Sequence, residues 1–145
     1  MRPWKGVILV AGSVMLLHLS VQAASAWGAL AVGSSGDIQK DGFAIGYARE
    51  QPTEDAAKAT ATKNCQDFQG APKRTTALCT VIMTFHGQCY AFAEDPKAGT
   101  PGVGWGVADD VNGAKQKAMT MCKTTAGPGR VQFCEARDSA CDSHD

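Results

Sequence analysis

The sequence carries no excess of charge of either sign: 14 Lys and Arg offset 14 Asp and Glu in 145 residues, with no run of basic residues. It therefore lacks the electrostatic footprint that a phosphate backbone requires, and a nucleic-acid partner is not expected. Aromatic residues are few, at 7%, and histidine is scarcer still, with only His18, His86 and His144. Nucleophilic catalysis is left with His86 as its only well-placed base, because His144 is one residue from the C-terminus and His18 falls in the apolar leader described below. No two cysteines have the Cys-x-x-Cys spacing of a zinc site, the nearest approach being His86-Gly87-Gln88-Cys89. No metal and no cofactor is expected, metal handling being a third reading that depends entirely on the thiols being free.

Long hydrophobic runs are also missing, with one exception at the N-terminus. Arg2 and Lys5 precede an apolar stretch from Gly6 to Val21, followed by Ala24-Ser25-Ala26, a small-x-small cleavage pattern. The stretch is shorter than the roughly 20 residues of a spanning helix. Residues 1–26 read as a signal peptide, and residues 27–145 as one secreted domain, slightly acidic once Arg2 and Lys5 are removed. Its expected place is the periplasm or the medium, where thiols oxidise, with no membrane association after cleavage.

What the chain does have is six cysteines, 16 glycines and an internal repeat. Aligning Cys65 with Cys122 brings Ala57 onto Ala114, Lys58 onto Lys115 and Ala61 onto Ala118 without a gap. The shared Ala57, Ala61, Cys65 and Ala114, Ala118, Cys122 lie at i, i+4 and i+8, one stripe of a helix, which predicts helices over 53–66 and 110–123. Thr53 and Asp110 stand at matching N-cap positions. Before each helix the period becomes two: Phe43, Ile45 and Tyr47 alternate with small residues, as do Val103, Trp105 and Val107. Trp27 to Val32 matches Cys89 to Glu94 as a first strand of each unit. Cys79, Val81, Met83 and Phe85 read as one face of a third strand, with 131–137 carrying Cys134 as its counterpart.

The predicted fold is α+β: two strand-strand-helix-strand units, about 27–88 and 89–141, sharing one core with an antiparallel-rich sheet. Segments 33–42, 70–76, 95–102 and 126–130 read as loops. The repeat also selects a cysteine connectivity. Cys65–Cys79 and Cys122–Cys134 tie each helix end to the following strand, and Cys89–Cys141 takes the remaining pair. An even cysteine count in an exported chain favours disulfides over ligands.

Candidate sites are sparse. Asp37 to Gly42 has the start of a calcium loop but Ala48 at position twelve, so a polar turn is expected. Gly99 to Gly106 lacks the Lys-Ser/Thr of a phosphate loop and reads as a turn feeding a strand. Glu94-Asp95 and Asp109-Asp110 are paired carboxylates, but neighbours along a strand point to opposite faces, which suits them poorly to joint acid and base work. Trp27, Tyr47, Tyr90 and Trp105, on strands rich in small residues, form a candidate binding surface, with burial in the core as the plain alternative.

Trp27-Gly28-Ala29-Leu30-Ala31-Val32 after a leader, then Gly46-Tyr47-Ala48, Ala57 to Cys65, Cys79, Cys89, and the second Ala-rich helix with Cys122, Cys134 and Cys141, form a pattern that resembles a bacterial secreted family called domain of unknown function 4189. The resemblance covers essentially all of residues 27–141. It implies export, a small cysteine-bearing α+β domain and a repeated unit, and it brings no catalytic residues. The expected function is that of an exported, disulfide-stabilised, noncatalytic domain that binds an unidentified protein or envelope component. The alternative is an extracytoplasmic hydrolase using His86 or an acidic residue.

Overall fold

The structure is a computed structural model and describes residues 26–142. The segment expected to be a signal peptide, apart from Ala26, and His144 lie outside the described residues. The first unit runs β1 (Trp27–Gly33), α1 (Ile38–Asp41), β2 (Ala44–Gln51), α2 (Glu54–Gln66), α3 (Lys73–Thr76) and β3 (Thr80–His86). The second runs β4 (Cys89–Glu94), β5 (Val103–Ala108), α4 (Val111–Ala126), a 3-10 turn (Val131–Phe133) and β6 (Glu135–Cys141). Each unit contributes one antiparallel three-stranded sheet with its first strand in the middle, in the orders β2-β1-β3 and β5-β4-β6. The antiparallel sheet structure is thus divided equally between the units.

The helices form where the caps and the small-residue stripe require. Thr53 Oγ1 accepts from Ala56 N at 3.1 Å, and Asp110 Oδ1 accepts from Gly113 N at 2.9 Å. Each bond satisfies one of the free N–H groups at a helix start. Ala57, Ala61 and Cys65 pack on Ala29, Ala31, Ala44 and Ala48, and Ala114, Ala118 and Cys122 pack on Ala91 and Ala93. Glycine completes the fit at Gly46, where a Cβ would overlap the backbone of Ala61 and Cys65, and at Gly104, where it would overlap that of Ala118 and Cys122. Close approach of helix to sheet, and not large side-chain volume, fills these two outer cores.

The faces turned away from the helices meet each other. Val32, Phe43, Phe92 and Val103 form a shared cluster joined by Ile45 and Trp105, so the layers run helix, sheet, sheet, helix around one common core. Phe43 stacks on Phe92 with ring centroids 5.6 Å apart, and Phe85 meets Tyr90 at 5.9 Å.

Several boundaries differ from expectation. The segments 33–42 and 70–76, read as loops, each contain one helical turn, α1 and α3, too short to display a period. Asp37 caps α1 by accepting from Lys40 N at 3.1 Å, which accounts for the polar turn. Helix α4 continues to Ala126, and the 3-10 turn takes up 131–133, so the last strand begins at Glu135 and Cys134 precedes it. The single face proposed for Cys79, Val81, Met83 and Phe85 is broken. Leu30 pairs with Met83 while Ala31 pairs with Val81, leaving Ile82 as a bulge. Cys79 and Val81 therefore face α2, whereas Met83 and Phe85 face the other sheet. The second unit repeats the device, with Phe92 opposite Asp138, Ala93 opposite Ala136 and Arg137 bulged.

All three disulfides are those the repeat selects: Cys65–Cys79, Cys122–Cys134 and Cys89–Cys141. The first two span 14 and 12 residues with Cα atoms 5.9 and 6.0 Å apart, each joining a helix end to the segment that leads into the unit's last strand. No described helix is long and apolar enough to cross a membrane.

Candidate functional site

The seam between the two sheets has two chemically distinct ends. At one end lies a cleft of about 270 Å³ to which the first unit contributes Ile38, Phe43 and Phe68 and the second Glu94, Lys97 and Val103. A neighbouring hollow of about 380 Å³ is lined by Ile45, Gly46, Tyr47, Asn64 and Phe68, so the Phe68 ring borders both. Phe68 follows the C-terminus of α2, and its ring lies 6.5 Å from that of Phe43. Asn64 holds the floor of the hollow by donating to the Tyr47 carbonyl at 2.8 Å.

The two carboxylates of Glu94-Asp95 have separate fates. Asp95 is buried, accepts from Arg130 through both oxygens, with Nη2 to Oδ1 at 2.8 Å, and also accepts from Lys97 N at 3.0 Å. The Arg130 hydrogen bonds outweigh burial and hold its pKa down at about 2. Arg130 in turn stacks over the Phe133 ring, 4.4 Å from its centroid, which fixes the corner after β4 to the turn before β6. Glu94 faces the cleft, and burial raises its carboxyl above the ordinary range despite Arg137, whose Nε lies 3.3 Å away. The two acids thus have divergent affinities for a proton, but Asp95 is fully engaged in structure.

The other place where polar groups enter the seam is built from β2, β4 and β6. Tyr90 is 1% exposed and donates its hydroxyl to Asp138 Oδ2 at 2.7 Å, while the Tyr47 ring packs on Tyr90 at 4.8 Å. Burial, reinforced by the neighbouring carboxylate, pushes the Tyr90 phenol far above its ordinary value. Asp138 moves the other way. Burial alone would raise its carboxyl, but hydrogen bonding from Tyr90 and Tyr47 and the charge of Arg49 keep it below the usual value. A carboxylate so held is a fixed acceptor and an unsuitable general base.

Of the four aromatic residues proposed as a surface, the structure brings together only Tyr47 and Tyr90. Tyr90 lies in the core and offers no surface; Tyr47 is 37% exposed. Trp27 is partly buried against the α2 side of its sheet and Trp105 against the shared core. His86 packs against Trp27 with ring centroids 4.7 Å apart and the rings tilted by 43°. Asp110 caps α4, and Asp109 Oδ1 accepts from Gln88 Nε2 at 3.0 Å. Phe68 and Asp138 were not singled out in the sequence. An aromatic ring in a Gly- and Pro-bearing loop was the available signal for the first; the second fell outside the expected strand.

Two antiparallel three-stranded sheets packed face to face, each covered by one Ala-rich helix with a disulfide near that helix's C-terminal end, define a cystine-bearing α+β domain. A family model described as domain of unknown function (DUF4189) matches residues 27–141, and the chain belongs to that family. No curated protein and no solved structure matches the chain.

Proposed function

We propose that the protein is an exported, noncatalytic interaction domain whose contact surface is the seam around Phe68. The observation that carries this reading is the pair of adjoining hollows, open to solvent and walled by Ile38, Phe43, Ile45, Phe68 and Val103, with charged groups at the margin. An apolar floor with a polar rim suits a macromolecular partner, and Cys65–Cys79 ties down the end of α2 from which Phe68 follows. Three disulfides and a leader of signal-peptide character support export. The partner class is a protein or envelope component outside the cytoplasm.

A photo-crosslinking amino acid placed at Phe68 in the producing cell tests the reading, with the same probe at exposed Gln116 on α4 as control. A discrete adduct at position 68 that is absent at 116 supports it. Equal adducts at both positions, or turnover of envelope polymers by the purified oxidised protein that is lost in Glu94→Gln, would overturn it.

A further inference from the structure

The three disulfides occupy unlike environments. Cys65 and Cys122 are fully buried, and their partners Cys79 and Cys134 nearly so. Cys141 alone of the six half-cystines is only partly buried, at the last position of an edge strand and paired directly with Cys89 in the ladder of the central strand. The repeat makes a second comparison available. In the first unit the register position equivalent to Cys89 opposite Cys141 holds Trp27 opposite His86, and the β1–β3 ladder forms there with no covalent bond.

From this pair of observations we propose that Cys89–Cys141 is a thiol-exchange site, reduced and reoxidised in the folded protein by a thiol or dithiol, whereas Cys65–Cys79 and Cys122–Cys134 are permanent staples. The incoming thiolate attacks the sulfur of Cys141, the less buried residue of the pair; the S–S bond breaks, and Cys89 leaves as a thiolate that takes up a proton. A second thiol, from the same dithiol or from another small thiol, then attacks the reductant's sulfur in the mixed disulfide and releases Cys141. Two electrons and two protons pass to the protein, and the reductant departs as its disulfide. In the oxidised form the Cys89 sulfur already lies 3.9 Å from the Asp109 carbonyl oxygen, an acceptor for the new S–H.

The folded protein survives this step for identifiable reasons. The β4–β6 ladder persists along its length, Cys122–Cys134 still anchors the start of β6, and two hydrogen bonds clamp its end, Asp142 N to the Gln88 carbonyl at 3.0 Å and Gln88 N to Asp142 Oδ1 at 2.7 Å. The site therefore changes state at one end of one sheet. This inference is independent of the seam as a contact surface.

The test is differential alkylation of the oxidised, native protein. It is equilibrated anaerobically in glutathione buffers of graded ratio, or with a thioredoxin-type dithiol protein, then quenched with iodoacetamide and mapped by peptide mass. Labelling of Cys89 and Cys141 at least about tenfold above the other four cysteines, with native circular dichroism retained, is expected. Labelling in glutathione identifies a small thiol as sufficient; labelling only with the dithiol protein identifies a protein reductant. Labelling of all six together, earlier labelling of another pair, or no labelling of Cys89 and Cys141 in either arm would overturn the proposal. A Cys89→Ser/Cys141→Ser variant that fails to fold would overturn it as well, since reduction would then be unfolding.

Discussion

The two units have the same strand order, helix, bulge and staple, yet among the registers where they differ four positions of the second unit carry its separate chemistry. Cys89 and Cys141 stand where the first unit has Trp27 and His86, Tyr90 stands where it has Gly28, and Asp138 where it has Met83. Positions that determine how a helix lies on its sheet are kept in kind: Ala57, Ala61, Cys65 and Gly46 against Ala114, Ala118, Cys122 and Gly104. The difference teaches that packing leaves little choice where backbones nearly touch, and that the strand ends and the seam are where a doubled scaffold can acquire separate chemistry.

Removing the staple unique to the second unit gives the largest expected effect. Cys89→Ser/Cys141→Ser opens a loop spanning 52 residues and should cost about 4 kcal/mol in denaturant unfolding, mostly by freeing the unfolded chain. Its spectrum and β4–β6 amide protection should nevertheless stay native. Breaking the packing rule in both units comes next. Gly46→Val and Gly104→Val each force a helix off its sheet and should each cost about 3 kcal/mol, equal between units within error. A loss confined to one of them would break the equivalence.

The polar end of the seam sharpens the contrast. Asp138→Ala leaves the buried Tyr90 hydroxyl without its acceptor and should cost about 2 kcal/mol, whereas Met83→Leu at the equivalent register should be close to neutral. The same group makes stability depend on pH at both extremes. Asp138 is held below its ordinary 3.8, so its contribution is present above that value and is lost as pH falls through the lowered one. Tyr90 is held above its ordinary 10.0, so stability is present below pH 10 and declines as pH rises past it, when the unfolded chain ionises first. Urea midpoints across pH, with and without Tyr90→Phe, measure the second slope, which the variant should reduce but not abolish, because the Asp138 carboxylate also holds the Tyr47 phenol above its ordinary value. The smallest effects belong to the caps: Thr53→Ala and Asp110→Ala should each cost about 1 kcal/mol, in step with each other.

Much of this architecture was legible along the chain because it is written in local spacing. The Ala-Ala-Cys stripes marked α2 and α4, Thr53 and Asp110 marked their starts, and the alternation of bulky with bare residues marked β2 and β5. The cysteine pairing followed from the same repeat. The bulges at Ile82 and Arg137 were not legible, since a bulge exists only relative to a partner strand, and its effect is to turn Met83 and Phe85 from one face to the other. The turns α1 and α3 are shorter than any period. The strand expected at 131–137 lost its beginning to a longer α4 and a 3-10 turn, which moved Asp138 into the ladder and into the seam. The cleft could not be read at all, because Phe43 and Phe68 meet Glu94 and Val103 only when the two units pack.

The account rests on the equivalence of the two strand ends, and installing the missing bridge tests it most directly. In a Trp27→Cys/His86→Cys variant, oxidised and analysed by intact mass and peptide mapping, residues 27 and 86 should join in a fourth disulfide while the three native pairs remain, for a total loss of eight hydrogens. Free thiols at 27 and 86 in a folded protein that retains its three native bonds would contradict the equivalence.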